Sequence, residues 1–317
     1  MKLLIGKMIL YFILILVFLE VCVRVLHLYF EYPPYYINEL NVKTYLPNQG
    51  GHYVTGNRRM KYAKFNINDQ GFNSFRAYNP TENTTDIALI GDSFIEGFHQ
   101  DFDKSIGRKI ENKLKNTVNV FEYGHSGYDL ADQFHLIKAY QKEFEFIDYI
   151  FIYIKFNNDL KRSEYTPNHW RVNLQYSTSF QIRDKIKLST YAEGIGIFEP
   201  FLKVKDKILG IQPETNMDET VSEADTKLYL DNFKTLIDTF GFDKSKTTFL
   251  LDKSKTSKPF LDYCDKMGYN YLDFGSEFDK SKKPTTLIYD MHWDDHGRDL
   301  IANTVVNYLN KNILETK

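Results

Sequence analysis

Residues 149–154 read Tyr-Ile-Phe-Ile-Tyr-Ile, with no break in apolar and aromatic character. A strand with one wet face alternates apolar and polar side chains. A run without alternation is covered on both faces, as the central strand of a parallel sheet flanked by helices is. Shorter runs fit the same layer: Asp86-Ile-Ala-Leu-Ile90 ending at Gly91, then Val118–Phe121, Thr247–Leu251 and Tyr269–Leu272. Helical spacing fills the gaps in 103–116 (Ile106, Ile110, Leu114), from Leu130 to Phe146 and around 258–267. A last helix over about 295–311 carries Leu300, Ile301, Val305, Val306 and Leu309. Strands and helices alternating in this way predict an α/β fold with a mostly parallel five-stranded sheet.

The amino end is a separate matter. Met8 to Leu19 is an uninterrupted apolar run, and apolar character continues to Phe30. As a helix, residues 8–30 extend about 35 Å at ~1.5 Å per residue, against a hydrocarbon core of roughly 30 Å. Glu20 and Arg24 interrupt the run four residues apart, so they can pair on one face. Lys2 and Lys7 predict a cytoplasmic amino end, with the rest of the chain on the extracytoplasmic side. The segment ends in His-Leu-Tyr-Phe-Glu-Tyr-Pro-Pro, without the small-residue site of a cleaved signal peptide. Residues 1–30 therefore read as one transmembrane helix, an uncleaved signal anchor. The plainer reading is an amphipathic or buried amino-terminal helix.

Residues 31–85, rich in Tyr, Pro, Asn and Gly, read as an irregular lead-in with short edge strands, and 86–317 as the main domain. Within it, about 160–218 break the strand–helix rhythm. A structureless loop of that length is improbable, so this insertion is expected to carry its own elements and to cover a site.

The 317 residues carry 40 Lys+Arg against 42 Asp+Glu, a net charge of −2, which gives no basic field for nucleic acid. Two cysteines, Cys22 and Cys264, cannot form a disulfide framework or a four-ligand zinc site, and both read as apolar fillers. His292 and His296 are spaced i, i+4, but no Glu stands between them as in His-Glu-x-x-His, so no metal is expected.

Gly91-Asp92-Ser93 lies at the carboxyl end of the first sheet strand, the edge where parallel sheets bind ligands. A serine there is a nucleophile only if a base takes its proton and donors hold the oxyanion. Alone, the tripeptide reads equally as a helix cap. Three further segments add the missing parts. The second strand runs into Glu122-Tyr-Gly124-His-Ser-Gly127-Tyr, where a glycine lets a backbone N–H approach a substrate. The third runs into Phe156-Asn157-Asn158-Asp159, which offers a side-chain amide. Near the end comes Asp290-Met-His292-Trp, a carboxylate placed to orient a histidine. Gly124-His-Ser126-Gly127 is not a Gly-x-Ser-x-Gly elbow, because position 128 is Tyr, so Ser126 reads as structural. Asp92 and Asp159 are expected to fix strand-end loops by accepting backbone N–H bonds. His99, His125 and His135 read as surface or capping residues. Trp170 and Trp293 read first as lid or core packing and second as sugar platforms.

Together these blocks resemble the SGNH (GDSL-type) hydrolase superfamily over roughly residues 64–311. Gly91-Asp-Ser93-Phe-Ile-Glu-Gly97 matches its first block and Val120 to Tyr128 its second. Asn157-Asn158-Asp159 matches the third, and Asp290-Met-His292-Trp-Asp-Asp-His-Gly297 the fourth. Ile67-Asn-Asp-Gln-Gly71-Phe72 looks like the lead-in of membrane-tethered members. The resemblance implies a three-layer α/β/α (flavodoxin-like) fold that uses no cofactor. It implies Ser93 as nucleophile, His292 as base and Asp290 as its orienting acid. The implied oxyanion hole is the N–H groups of Ser93 and Gly124 with the amide of Asn158. Three positions depart from the pattern: Phe156 replaces a glycine and is expected to narrow the pocket, one residue rather than two separates Asp290 from His292, and Asp294 follows the His-Trp pair where Asn is common. The short Asp-x-His form is familiar in carbohydrate O-acetylation proteins resembling this superfamily.

The implied function is serine ester hydrolysis on O-acyl, chiefly O-acetyl, groups of envelope or exported carbohydrate. An O-acetyltransferase on the same glycans, or an inactive glycan-binding or assembly component, stays open. The implied partners are an acylated carbohydrate, the lipid bilayer and envelope polysaccharide machinery.

Overall fold

A computed structural model of the chain describes residues 2–55, 59–197, 200, 222–288 and 291–315. It opens with α1 (Lys2–Val25), a helix long and apolar enough to cross a bilayer, in which every residue from Leu3 to Leu19 is exposed. Its last turn is tied to the body of the protein. Glu20 and Arg24 pair at 2.7 Å, Glu20 accepts the N–H groups of Lys187 (3.0 Å) and Leu188 (2.6 Å), and Arg24 donates to the Lys185 carbonyl at 2.6 Å.

Two antiparallel hairpins follow: β1 (Tyr35–Ile37) with β2 (Lys43–Tyr45), and β3 (Gln49–Thr55) with β4 (Lys61–Ile67). The lead-in is thus more regular than its composition suggests. Tyr45, Phe65, Ile67 and Phe98 give it a small apolar core of its own.

The main domain then runs β5 (Thr85–Gly91), α2 (Ser93–Glu96), α3 (Ile106–Lys113), β6 (Val118–Gly124), α4 (Leu130–Ala139), α5 (Gln141–Phe144), β7 (Tyr149–Tyr153) and α6 (Phe156–Asp159). The insertion contributes α7 (His169–Leu174), α8 (Thr178–Lys185) and α9 (Lys187–Gly194). After it come α10 (Glu223–Phe240), β8 (Thr247–Leu251), α11 (Lys258–Met267), β9 (Asn270–Asp273), α12 (Gly275–Lys280) and α13 (Asp295–Glu315). The helix expected from Leu130 to Phe146 is two helices, parted at Tyr140.

The five strands β5 to β9 form one parallel sheet in the order β6-β5-β7-β8-β9, an α/β fold with helices packed around it. Adjacent residues of a strand feed opposite faces. Ala88 and Ile90 of β5, with Ile150 and Ile152 of β7, meet Phe134, Phe233 and Phe260 on one side. Ile87, Leu89, Phe151 and Tyr153 meet Ile106, Ile110, Ile301, Val305 and Leu309 on the other. That double coverage is the physical reason 149–154 lacks polar residues. From β5 the chain passes first to β6 on one side and then to β7 on the other. The reversal opens a crevice at the carboxyl ends of these strands.

Candidate active site

Ser93 is held by the local chemistry of its turn. β5 ends at Gly91, and Asp92 caps α2 by accepting the Phe94 N–H at 2.9 Å. The second carboxylate oxygen of Asp92 pairs with Lys155 Nζ at 2.6 Å. Gly97 closes the helix in the left-handed region at φ 69°, where glycine carries no Cβ penalty. Ser93, the first residue of α2, is left half-buried at the mouth of the crevice.

Gly124 sits level with Gly91 in the β5–β6 register, and the His125 N–H donates to the Gly91 carbonyl at 3.2 Å. A Cβ on Gly124 would stand 2.0 Å from the backbone nitrogen of Glu96 and 2.5 Å from its Cα. Only glycine lets the end of β6 lie this close to α2. The following loop is fixed by Glu96, whose Oε1 accepts the Ser126 N–H at 2.7 Å and the Tyr45 hydroxyl at 2.5 Å. Burial pushes the Glu96 carboxyl up to about 7, against the opposing pull of Tyr45 and the Ser126 N–H. His125 is buried between the Tyr45 ring, 4.4 Å away, and the Tyr128 ring at 5.1 Å. Burial, with the Lys43 charge adding to it, holds its imidazole well below the ordinary value and therefore neutral.

The fourth block arrives by a backbone clasp. Thr286 bridges Trp293, the Leu287 N–H donates to the His292 carbonyl at 2.7 Å, and the Asp294 N–H donates to Thr285 at 3.0 Å. Trp293 is buried against Phe94, Tyr153 and Phe274, which makes it a core anchor for the neighbouring His292. The His292 Nε2 then lies 2.8 Å from Ser93 Oγ. Its ring is stacked on Phe94 at 4.4 Å and on His99 at 4.1 Å. Asp290 lies outside the described residues. His296, one turn on, turns to a different partner: its Nε2 is 2.9 Å from Ser281 Oγ.

Asn158 is exposed on α6, whose first turn is closed by the Asn158 N–H donating to the Lys155 carbonyl at 3.0 Å. The buried Asp159 accepts the Lys155 N–H at 2.7 Å, and burial, with Asp92 adding to it, raises its carboxyl well above the usual range. Lys155 thus links the two loops, its side chain bound to the cap of Ser93 and its N–H to Asp159. Asp92 and Asp159 both accept the backbone N–H bonds expected of them. The expectation for Phe156 is corrected: its ring is buried in the core against Tyr229 and Phe260 and does not narrow the pocket.

Two of the histidines are also corrected. His99 and His125 are buried in aromatic stacks, while His135 is half-buried, with Nε2 at 3.0 Å from the carbonyl of Leu40 in the β1–β2 turn. Trp170, by contrast, is 71% exposed on α7. Sequence reasoning missed Lys155, Tyr45 and Arg298. Arg298 is fully buried; its Nε donates to the Trp293 carbonyl at 3.1 Å, and its Nη1 lies 2.7 Å from where a Cβ on Gly97 would be. Glu96, set between Phe94-Ile95 and Gly97-Phe98, did carry a signal: an acid within an apolar run has to find a buried donor.

No family model matches the chain, and no curated protein sequence matches it. Several solved structures are similar to the chain at low sequence identity. One is a lipase/acylhydrolase from Enterococcus faecalis, at 12% identity and TM-score 0.43, covering 72% of this chain and 97% of that one. Another is a carbohydrate acetylesterase family member from Sinorhizobium meliloti, at 12% identity and TM-score 0.36, covering 72% and 98%. A third is the esterase EstA from Pseudoalteromonas sp., at 9% identity and TM-score 0.40, also covering 72% and 98%.

Proposed function

We propose that this chain is a serine ester hydrolase that removes O-acyl groups, chiefly acetyl, from envelope or exported carbohydrate. The observation that carries the reading is the 2.8 Å contact between Ser93 Oγ and His292 Nε2 at the carboxyl edge of the sheet. In this reading His292 Nε2 takes the hydroxyl proton as Ser93 Oγ attacks the ester carbonyl carbon. The resulting oxyanion accepts hydrogen bonds from the N–H groups of Ser93 and Gly124 and from the Asn158 amide. As the tetrahedral intermediate collapses, the sugar oxygen leaves with the proton that His292 returns. Water then attacks the acyl-serine, again giving its proton to His292, and the carboxylic acid departs as Ser93 is restored. Asp290 orients the imidazole and balances its charge while protonated. The Phe94 and His99 rings hold the imidazole plane between these two proton transfers.

Three features support a carbohydrate substrate at a membrane. α1 is long enough to anchor the domain, and Lys2 and Lys7 favour its amino end on the cytoplasmic side, so the site faces the envelope. The sequence resembles tethered members that act on O-acetylated glycans. Trp170 presents an exposed ring of the kind that stacks on sugars.

The test uses the full-length protein in detergent micelles with para-nitrophenyl acetate and a fluorophosphonate probe. Wild type is expected to turn over and to label, while Ser93→Ala and His292→Ala lose at least about 1000-fold in turnover. Equal hydrolysis by wild type and Ser93→Ala would overturn the reading.

A further inference from the structure

One pair of side chains near the site has no part in the acyl-transfer chemistry. Lys43 from β2 and Arg171 from α7 converge on Gly127, three residues past Gly124. Arg171 Nη1 lies 3.6 Å and Lys43 Nζ 3.9 Å from the position a Cβ on Gly127 would take, and Gly127 holds φ +75°. Two cations brought to one small exposed residue repel each other unless an anion lies between them.

The acids nearest them are already engaged. Arg162 takes Asp129 at 2.8 Å and Asp132 at 2.7 Å, and Glu96 is held by Tyr45 and the Ser126 N–H. Among the described residues, neither Lys43 nor Arg171 has a carboxylate within ion-pair distance. Lys43 Nζ donates to the Ser126 carbonyl at 3.0 Å and lies 5.3 Å from the centre of the Tyr128 ring. Burial lowers the pKa of its ammonium, with Arg171 adding to it and Asp132, Glu96 and Asp129 partly offsetting it.

Arg171 faces solvent, yet its backbone is fixed. Its N–H donates to Asn168 Oδ1 at 2.9 Å, and its carbonyl accepts the Tyr35 hydroxyl at 3.1 Å. The neighbouring Trp170 adds an exposed aromatic face. The Ser126 N–H binds Glu96 of α2, so this notch stands one loop away from Ser93.

We propose that the Lys43–Arg171 notch binds an anionic oxygen group of the glycan, a carboxylate or a phosphate, so that the preferred ester is carried on an acidic sugar. The proposal rests on the reading of Ser93 as an ester-hydrolase nucleophile. A guanidinium donates two parallel bonds to either group, and the ammonium supplies a point charge from the other side.

The test gives the full-length protein three acetyl esters: an O-acetylated methyl glucuronoside, an O-acetylated glucose 6-phosphate and an O-acetylated methyl glucoside. At least one anionic ester is expected to exceed the neutral one in kcat/KM by roughly 10-fold or more. Whichever anionic ester is preferred identifies carboxylate or phosphate. Lys43→Met and Arg171→Gln are each expected to bring the anionic-to-neutral ratio toward one, and added salt to lower it in wild type. The ratio is taken within each variant, so general damage cancels, and the exposed Arg171 gives a readable variant if Lys43→Met fails to fold. A wild-type ratio of one, or an unchanged ratio in the variants, overturns the proposal. If none of the esters is cleaved in a Ser93-dependent way, the hydrolase reading fails by itself. The notch is then read by calorimetry on Ser93→Ala with methyl glucuronoside, glucose 6-phosphate and methyl glucoside, where tighter binding of an anionic sugar upholds it and equal or absent binding overturns it.

Discussion

Gly124→Ala tests the packing on which the whole site rests. The added methyl would stand 2.0 Å from Glu96 N, 2.5 Å from Glu96 Cα and 2.6 Å from the Ile95 carbonyl carbon, all backbone atoms that no rotamer can move aside. Ordinary contact begins near 3.4 Å, so α2 and the end of β6 must part by about 1.4 Å. α2 carries Ser93 at its first turn, and Gly124 is the proposed second oxyanion donor, so the parting separates the proposed nucleophile from the proposed hole. A displacement of ~1 Å in a reacting constellation costs on the order of 100-fold in rate. Overpacking a tight core costs about 1–3 kcal/mol, and each kcal/mol lowers Tm by roughly 2–4 °C in a domain of this size. Scanning calorimetry and para-nitrophenyl acetate turnover read the two effects separately. Gly50→Ala is the control, because its Cβ would meet only the Phe65 carbonyl oxygen at a comfortable 3.8 Å. If Gly124→Ala matches Gly50→Ala in both Tm and turnover, the close approach of β6 to α2 is not what assembles the site.

Three further outcomes are expected. Asn158→Ala should lower kcat on an activated ester roughly 100- to 1000-fold, and wild-type turnover in that variant would remove Asn158 from the oxyanion hole. Glu122 accepts the Gly107 N–H at 3.0 Å, and its burial pushes its carboxyl from 4.5 up to about 7. A raised carboxyl pKa means a stability contribution that is complete below about 4.5 and lost as pH rises through 7, roughly 3 kcal/mol at most. Chemical denaturation should therefore show Glu122→Gln gaining stability relative to wild type between pH 5 and 8; parallel curves would refute the assignment. Finally, the full-length chain should float with lipid vesicles and resist carbonate extraction, as a spanning helix of this length does, whereas recovery in the soluble fraction would refute anchoring by α1.

Much of the fold was legible because burial leaves a periodic mark. The unbroken Tyr149–Ile154 run and the spaced Ile106, Ile110, Ile301 and Val305 declare their layers without any knowledge of partners. Ser93 and His292, 199 positions apart, were also legible, since Ser93 follows a strand end and His292 precedes the last helix, each in a short block of its own. Their juxtaposition needs the clasp at Thr286 and Leu287 as well as the parallel strand order. The burial of His99 was not legible, because nothing in the residues around it says that His292 will stack on its ring and Tyr53 will meet it edge-on. Phe156 misled for a similar reason: the turn of α6 that points its ring at Phe260 depends on Asp159 accepting the Lys155 N–H.

Local composition, then, determined the strand and helix pattern, the apolar amino-terminal helix and the strand-end turn that carries Ser93. The physical reason is that hydrophobic period, turn chemistry and caps act over a few residues and are written in order. The tertiary structure alone decided which distant side chains share a dielectric. Tyr45 meets Glu96, and Lys43 and Arg171 converge on Gly127, because the hairpin lead-in and the insertion fold back onto the same sheet edge, while Lys155 meets Asp92 because β5 and β7 are paired neighbours. Charge and hydrogen-bond energies depend on distances in space, and those distances are set by packing that no single stretch of sequence contains.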